Sequence, residues 1–169
     1  MLKYNYLRIS QKGRNMLQRV QTIFMLVASV LLGSLILFPI DQFASASGIY
    51  ELTWLSVNDV TDLENKIEIE RFVPLTTLIV LSLALNLTAI FLYKHRHLQM
   101  RLVGIACGIE VGLCAVLIFL SYINSNTLGA NFHFAFSFLT PIAAAVLDIL
   151  AYRRISDDEE LIRSLDRLR

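Results

Sequence analysis

The run at residues 102–123 limits what this chain can fold into more than any other stretch. It holds no Lys, Arg, Asp or His, and a single carboxyl, Glu110. A helix crossing the ~30 Å hydrocarbon core of a bilayer takes about 20 mainly apolar residues, and this run is long enough. At about 1.5 Å per residue, Glu110 lies roughly 13 Å in from Arg101, near mid-membrane. A charge is costly there, so the carboxyl is expected to face protein or water. In the same run Gly104, Gly108 and Gly112 recur every four residues. On a helix they form a ridge without side chains, where a neighbouring helix can approach closely. The expectation is that this ridge packs against the chain's own helices. Packing against a second copy is the alternative, so an oligomer is possible but not indicated.

The composition agrees with a membrane setting. The chain is 56% hydrophobic and 17% charged, against about 25% charged in an average soluble domain. A net charge of +1 gives no bulk basic surface, and no nucleic-acid partner is expected. Three more apolar runs fall at residues 23–40, 72–93 and 132–152. The fold class expected is all-α: a four-transmembrane-helix bundle forming one integral domain over residues 1–169. Pro74 sits in the first turn of the second span, where a missing N–H is harmless. Asn86 is the strongly polar residue of that span and is expected to hydrogen-bond to a neighbouring helix. Pro141 reads as interior to the fourth span and is expected to kink it. Asp148 reads as lying near that span's inner end, where Arg101 or the tail arginines would pair with it.

The basic residues orient the spans. Lys3, Arg8, Lys12, Arg14 and Arg19 precede the first; Lys94, Arg96 and Arg101 lie around the connector after the second. Arg153, Arg154, Arg163, Arg167 and Arg169 follow the fourth. The 41–71 loop has Lys66 and Arg71 among seven acids, and the 124–131 turn has no charge. The positive-inside rule therefore puts both termini in the cytoplasm and the acidic loop outside. The first run, with its basic flank and Ala44-Ser45-Ala46 beyond it, also looks like a secretory signal. It is longer than the usual ~7–15-residue apolar region, and so reads as an uncleaved span. Translation could start at Met1 or Met16.

Within the outer loop, residues 49–57 and 66–72 read as two strands of a small hairpin, with Asn58-Asp59 to Asn65 as the turn. Ile67 and Ile69 alternate with Glu68 and Glu70, the period of a half-buried strand. The acids themselves read as a solvated loop without calcium-binding spacing. Cys107 and Cys114 are too far apart on one helix for a disulfide and read as packing residues. His95 and His97 lack further ligands for a zinc site. His133 is expected at the outer interface among Phe132, Phe134 and Phe136. No cofactor or metal is expected.

Residues 153–169 form a cytoplasmic tail. Ser156 and Glu159 fit a capping box, with acids following and arginines at the end, which suits the helix dipole. Leu161, Ile162, Leu165 and Leu168 make an apolar stripe. This predicts a separate short amphipathic helix lying on the inner membrane face or docked on a partner.

The pieces MLQRVQTIFMLVAS (16–29), FLYKHRHLQMRL (91–102) and AYRRISDDEELIRSLDRLR (151–169) resemble the domain-of-unknown-function family 4293. Its members are small four-span inner-membrane proteins of Gram-negative bacteria. The resemblance runs from about Met16 to Arg169, and residues 1–15 fall outside it. It implies a multi-pass protein of the bacterial inner membrane. It implies no activity and no catalytic residue.

Three functional readings remain. The first is a non-enzymatic accessory component that meets a protein partner, or anionic lipid of the bilayer, through Arg163, Asp166, Arg167 and Arg169. The second is a small proton-coupled transporter using Glu110, with Asp148 about one turn nearer the cytoplasm on another helix as the next step of a short proton path, and Asn86 as a further candidate polar residue within the spans. The third is an intramembrane enzyme, for which neither paired aspartates nor a nucleophile–histidine set is visible in the sequence.

Overall fold

In a hydrocarbon core every backbone N–H and C=O must be satisfied within the chain, so the apolar runs become helices. The computed structural model of the chain describes residues 2–46, 48–62, 66–93, 95–131 and 135–167, with the side chains of 2–19, 158 and 161–167 left undescribed. Helix α1 spans Leu2–Leu37, α2 Val73–Phe91, α3 Arg96–Thr127 and α4 Leu139–Arg167. Each contains a window long and apolar enough to cross a membrane. Each helix packs on the next, and α1 closes on α4, giving an up-and-down four-helix ring. The start of α1 and the end of α4 lie at one end.

The other end carries a four-stranded antiparallel sheet, which corrects both the all-α expectation and the two-stranded hairpin. Strands β1 (Asp41–Ser45), β2 (Gly48–Leu52), β3 (Ser56–Asp59) and β4 (Ile67–Arg71) pair in sequence order. The expected strand at 49–57 is divided into β2 and β3. Thr53 turns the chain, its hydroxyl donating to Ser56 O at 2.8 Å. Asn58 and Asp59 lie within β3, and the turn comes after them. β1 had been missed because its core residues are only Phe43 and the flanking Ile40, at 1% exposure each. Phe43, Tyr50, Leu52 and Val57 join Leu75, Ile79, Leu113, Leu117 and Phe138 in one apolar core. The sheet is thus the lid of the bundle's core. Thr76 Oγ1 donates to Trp54 O at 2.8 Å, and Ser45 Oγ to Leu128 O at 2.6 Å, fastening it to α2 and to the end of α3. β4, expected to be half-buried, is exposed on both faces as an edge strand.

Gly48 is where the sheet tolerates least change. Its φ is +154°, and a Cβ there would meet Thr61 Oγ1 at 2.1 Å. Thr61 cannot easily yield, because its hydroxyl donates to Asp59 Oδ1 at 2.6 Å and accepts from Ile49 N at 2.9 Å. Gly48→Ala is expected to cost roughly 1–3 kcal/mol. The check is faster amide exchange over Ile49–Leu52, with helical content retained; unchanged exchange would contradict this packing.

The β3–β4 pair should also respond to acid through its exposed carboxylates. The Thr61 hydroxyl and backbone N–H hold the Asp59 carboxyl below its ordinary 3.8. The Arg71 guanidinium holds that of Glu68 below 4.5. Groups depressed in the folded state contribute stability above their unfolded values and lose it as pH falls through the folded ones. Amide protection in β3 and β4 is expected to be flat from about pH 5 to 7 and to fall below about pH 4.

Two helix ends differ from expectation. α4 begins at Leu139, after a 3-10 turn at Phe136–Phe138. Pro141 therefore lies in its first turn, where an N–H has no intrahelical partner anyway, so no helix bond is lost. α4 then continues without interruption to Arg167, and Ser156 is inside it. The capping box does not start a new helix: a cap contributes about 1 kcal/mol, no Gly or Pro breaks the chain after Pro141, and Ile155 is fully buried.

Candidate functional site

The inward face of α3 is built from Gln99, Val103, Ala106, Glu110, Leu113, Cys114, Leu117 and Ser121, all buried. Three polar positions on it, Gln99, Glu110 and Ser121, are eleven residues apart. That is about three helical turns, so they share one face at levels roughly 16 Å apart. Each level is satisfied differently.

At the terminal end, Gln99 Nε2 donates to Ala89 O at 3.0 Å and reaches Met25 Sδ at 3.8 Å, tying α3 to α2 and α1. At the sheet end, Ser121 Oγ donates to Asp41 Oδ2, and Gln42 N donates to Asp41 Oδ1 at 2.8 Å. Asp41 is 3% exposed, so this member of the acidic loop is not solvated as expected.

The middle level is the candidate site. Glu110 and Asp148 meet there, with Asn86 and Ser82, and all four are 0% exposed. Asn86 Nδ2 donates to Glu110 Oε1 at 2.7 Å, and Ser82 Oγ to the same oxygen at 3.2 Å. Ser82 precedes Asn86 by one turn on α2, and the sequence reading missed it. The Asp148 carboxyl lies against those of Glu110 and the amide of Asn86. It receives no well-formed hydrogen bond: both its oxygens, Glu110 Oε2 and Asn86 Oδ1 lack a partner. Among the described residues, no Lys, Arg or His enters the interactions of either carboxyl. The expected pairing of Asp148 with Arg101 or the tail arginines is therefore corrected, and Arg101 is exposed.

The reason is the start of α4. Counted from residue 132, Asp148 seems to be at the inner end. Counted from Leu139 it is nine residues in, about 14 Å, and near the middle of the apolar window Phe136–Asp157. Above and below it the inward face of α3 is apolar. Val103 and Ala106 separate the cluster from Gln99, and Leu113, Cys114 and Leu117 separate it from Ser121.

Gly104, Gly108 and Gly112 are exposed, and a Cβ on any of them would meet no atom within 4 Å. The ridge does not pack on the chain's own helices, which corrects that expectation. Of the tail residues, Arg169 lies outside the described residues, as do the side chains of Arg163, Asp166 and Arg167. The same holds for the stripe Leu161, Ile162, Leu165 and Leu168, and for Phe132, His133 and Phe134. Nearer the bundle, His97 Nε2 and Glu159 Oε1 are 2.8 Å apart, joining the start of α3 to α4.

These features define a small protein with four helices long and apolar enough to cross a membrane, capped by a sheet, with a carboxyl pair at mid-depth. The family described as "Domain of unknown function (DUF4293)" matches residues 17–168. The chain belongs to that family. No curated protein is significantly similar to it.

Proposed function

We propose that the chain is a non-enzymatic, multi-pass protein of the bacterial inner membrane that carries protons through the Glu110–Asp148 cluster, as a small proton-coupled transporter. The observation supporting this is the meeting of two fully buried carboxyls at mid-depth without a cationic partner. Ionisable groups inside a membrane are expensive and are usually retained for ion or proton pathways. The apolar layers on either side make this conformation an occluded one, and carriage requires the helices to open to one face at a time. Following the basic residues, both termini and the 94–101 connector face the cytoplasm, and the sheet faces out.

The test is proton flux in proteoliposomes under an imposed pH gradient. Wild-type protein is expected to dissipate the gradient faster than empty vesicles, and Glu110→Gln to return the rate to that of empty vesicles. Equal rates for all three would overturn the reading.

A second reading is a docking role at the cytoplasmic end. It is supported by the unbroken continuation of α4 beyond its apolar window and by the His97–Glu159 contact. In this reading Arg163, Asp166, Arg167 and Arg169 are the residues that meet a protein partner. In-cell crosslinking of full-length protein should capture a partner that protein truncated after Ile155 does not. Identical profiles would overturn this reading.

A further inference from the structure

The middle cluster has an excess of acceptors whose size can be counted. Glu110 Oε2, Asp148 Oδ1, Asp148 Oδ2 and Asn86 Oδ1 are buried without a donor. Asn86 is the informative member. It is neutral, 0% exposed, its Nδ2 donates one hydrogen to Glu110 Oε1 at 2.7 Å, and its Oδ1 has no donor. Unpaired polar atoms at this depth are costly, and two ionised carboxylates in contact are costlier.

A proton on a carboxyl oxygen turns that acceptor into a donor, so each proton pairs two of these atoms. One proton leaves a net negative charge and, even with the second Nδ2 hydrogen turned to Asp148, one acceptor unmatched. Two protons match all four and leave the cluster neutral. Among the described residues, no basic side chain enters the interactions of either carboxyl. The described stretch of α1 from Val20 to Leu37, and all of α2, contain no titratable residue. Cys107 on α3 lies one turn from Glu110, and its Sγ faces Ala145 O at 3.8 Å.

We infer that Glu110, Asp148 and Asn86 form a two-proton site closed as a ring. Asn86 Nδ2 donates to Glu110 Oε1, the protonated Glu110 Oε2 donates to the Asp148 carboxyl, and the protonated Asp148 donates to Asn86 Oδ1. The inference rests on the reading of this cluster as the proton-carrying site, and gives its stoichiometry: two protons bound or released per cycle. Opening the bundle toward water would let both leave, because water would then solvate the carboxylate charges that the closed ring, with no cation in it, cannot stabilise.

The test is infrared spectroscopy of full-length protein in lipid nanodiscs at pH 7, in the region of the protonated-carboxyl C=O stretch. Carbon-13 labelling of glutamate in one sample and aspartate in another assigns the bands without mutation. The expected result is one protonated band of each type, both shifting in heavy water. Glu110→Gln should remove the glutamate band and move the aspartate band; Asp148→Asn should do the reverse. A single protonated band would overturn the two-proton count. No protonated band, with carboxylate bands that shift on exchanging sodium for potassium, would overturn it in favour of a bound metal cation. Two bands in a protein that supports no flux would keep the ring and reject the transport reading. Flux with one band would do the opposite.

Discussion

Asn86→Leu is expected to destabilise the detergent-solubilised protein by about 2 kcal/mol, among the largest losses for any single polar substitution in the bundle. The substitution nearly preserves volume, so packing changes little. What goes is the donor at 2.7 Å from Glu110 Oε1 and the acceptor left for Asp148. An ordinary interhelical hydrogen bond in a membrane contributes only about 0.6 kcal/mol. Leaving a buried carboxyl short of donors costs more, about 1–3 kcal/mol, and that term decides the outcome. Glu110→Gln, by contrast, keeps both the acceptor toward Asn86 and the donor toward Asp148, and is expected to change stability by less than about 1 kcal/mol. Unfolding midpoints in mixed detergent for the two variants provide the check. A harmless Asn86→Leu beside a strongly destabilising Glu110→Gln would contradict the arrangement.

Phe138→Ala should be more damaging still, by roughly 3–5 kcal/mol. Phe138 is 0% exposed and belongs to the core shared by the sheet, the 3-10 turn and the outer parts of α1, α2 and α3. Its carbonyl also faces Cys114 Sγ at 3.4 Å. Removing the ring opens a cavity at the junction of sheet and bundle, where several elements would have to move together to refill it. The loss should appear first as amide exchange in β1 and β2 and as a lowered unfolding temperature. A loss below about 1 kcal/mol would show that the sheet does not cap the core in this way.

The helices were legible from hydropathy because each apolar run had to satisfy its own backbone. The sheet was less so. Its strands are four or five residues long, and only β2 and β4 carry a visible β pattern. β1 is specified by contacts such as Ser121 with Asp41, far away in sequence. The tail helix was misread because a local capping signal is weaker than the continuity of α4.

The candidate site was half legible. Glu110 and Asn86 stand out as polar residues in apolar runs, but the depth of Asp148 depended on where α4 starts. The glycine ridge was misassigned although the means to place it were present. Gly108 and Gly112 are two residues either side of Glu110, about 200° around a helix. A carboxyl that must point inward turns those glycines outward.

The central claim is that Glu110 and Asp148 touch at mid-membrane. The most direct measurement is the distance between their side-chain carboxyl carbons, by solid-state NMR of labelled protein in bilayers. The account predicts roughly 5 Å or less, as a shared hydrogen bond requires. A separation beyond about 8 Å, too long for any direct hydrogen bond, would contradict it.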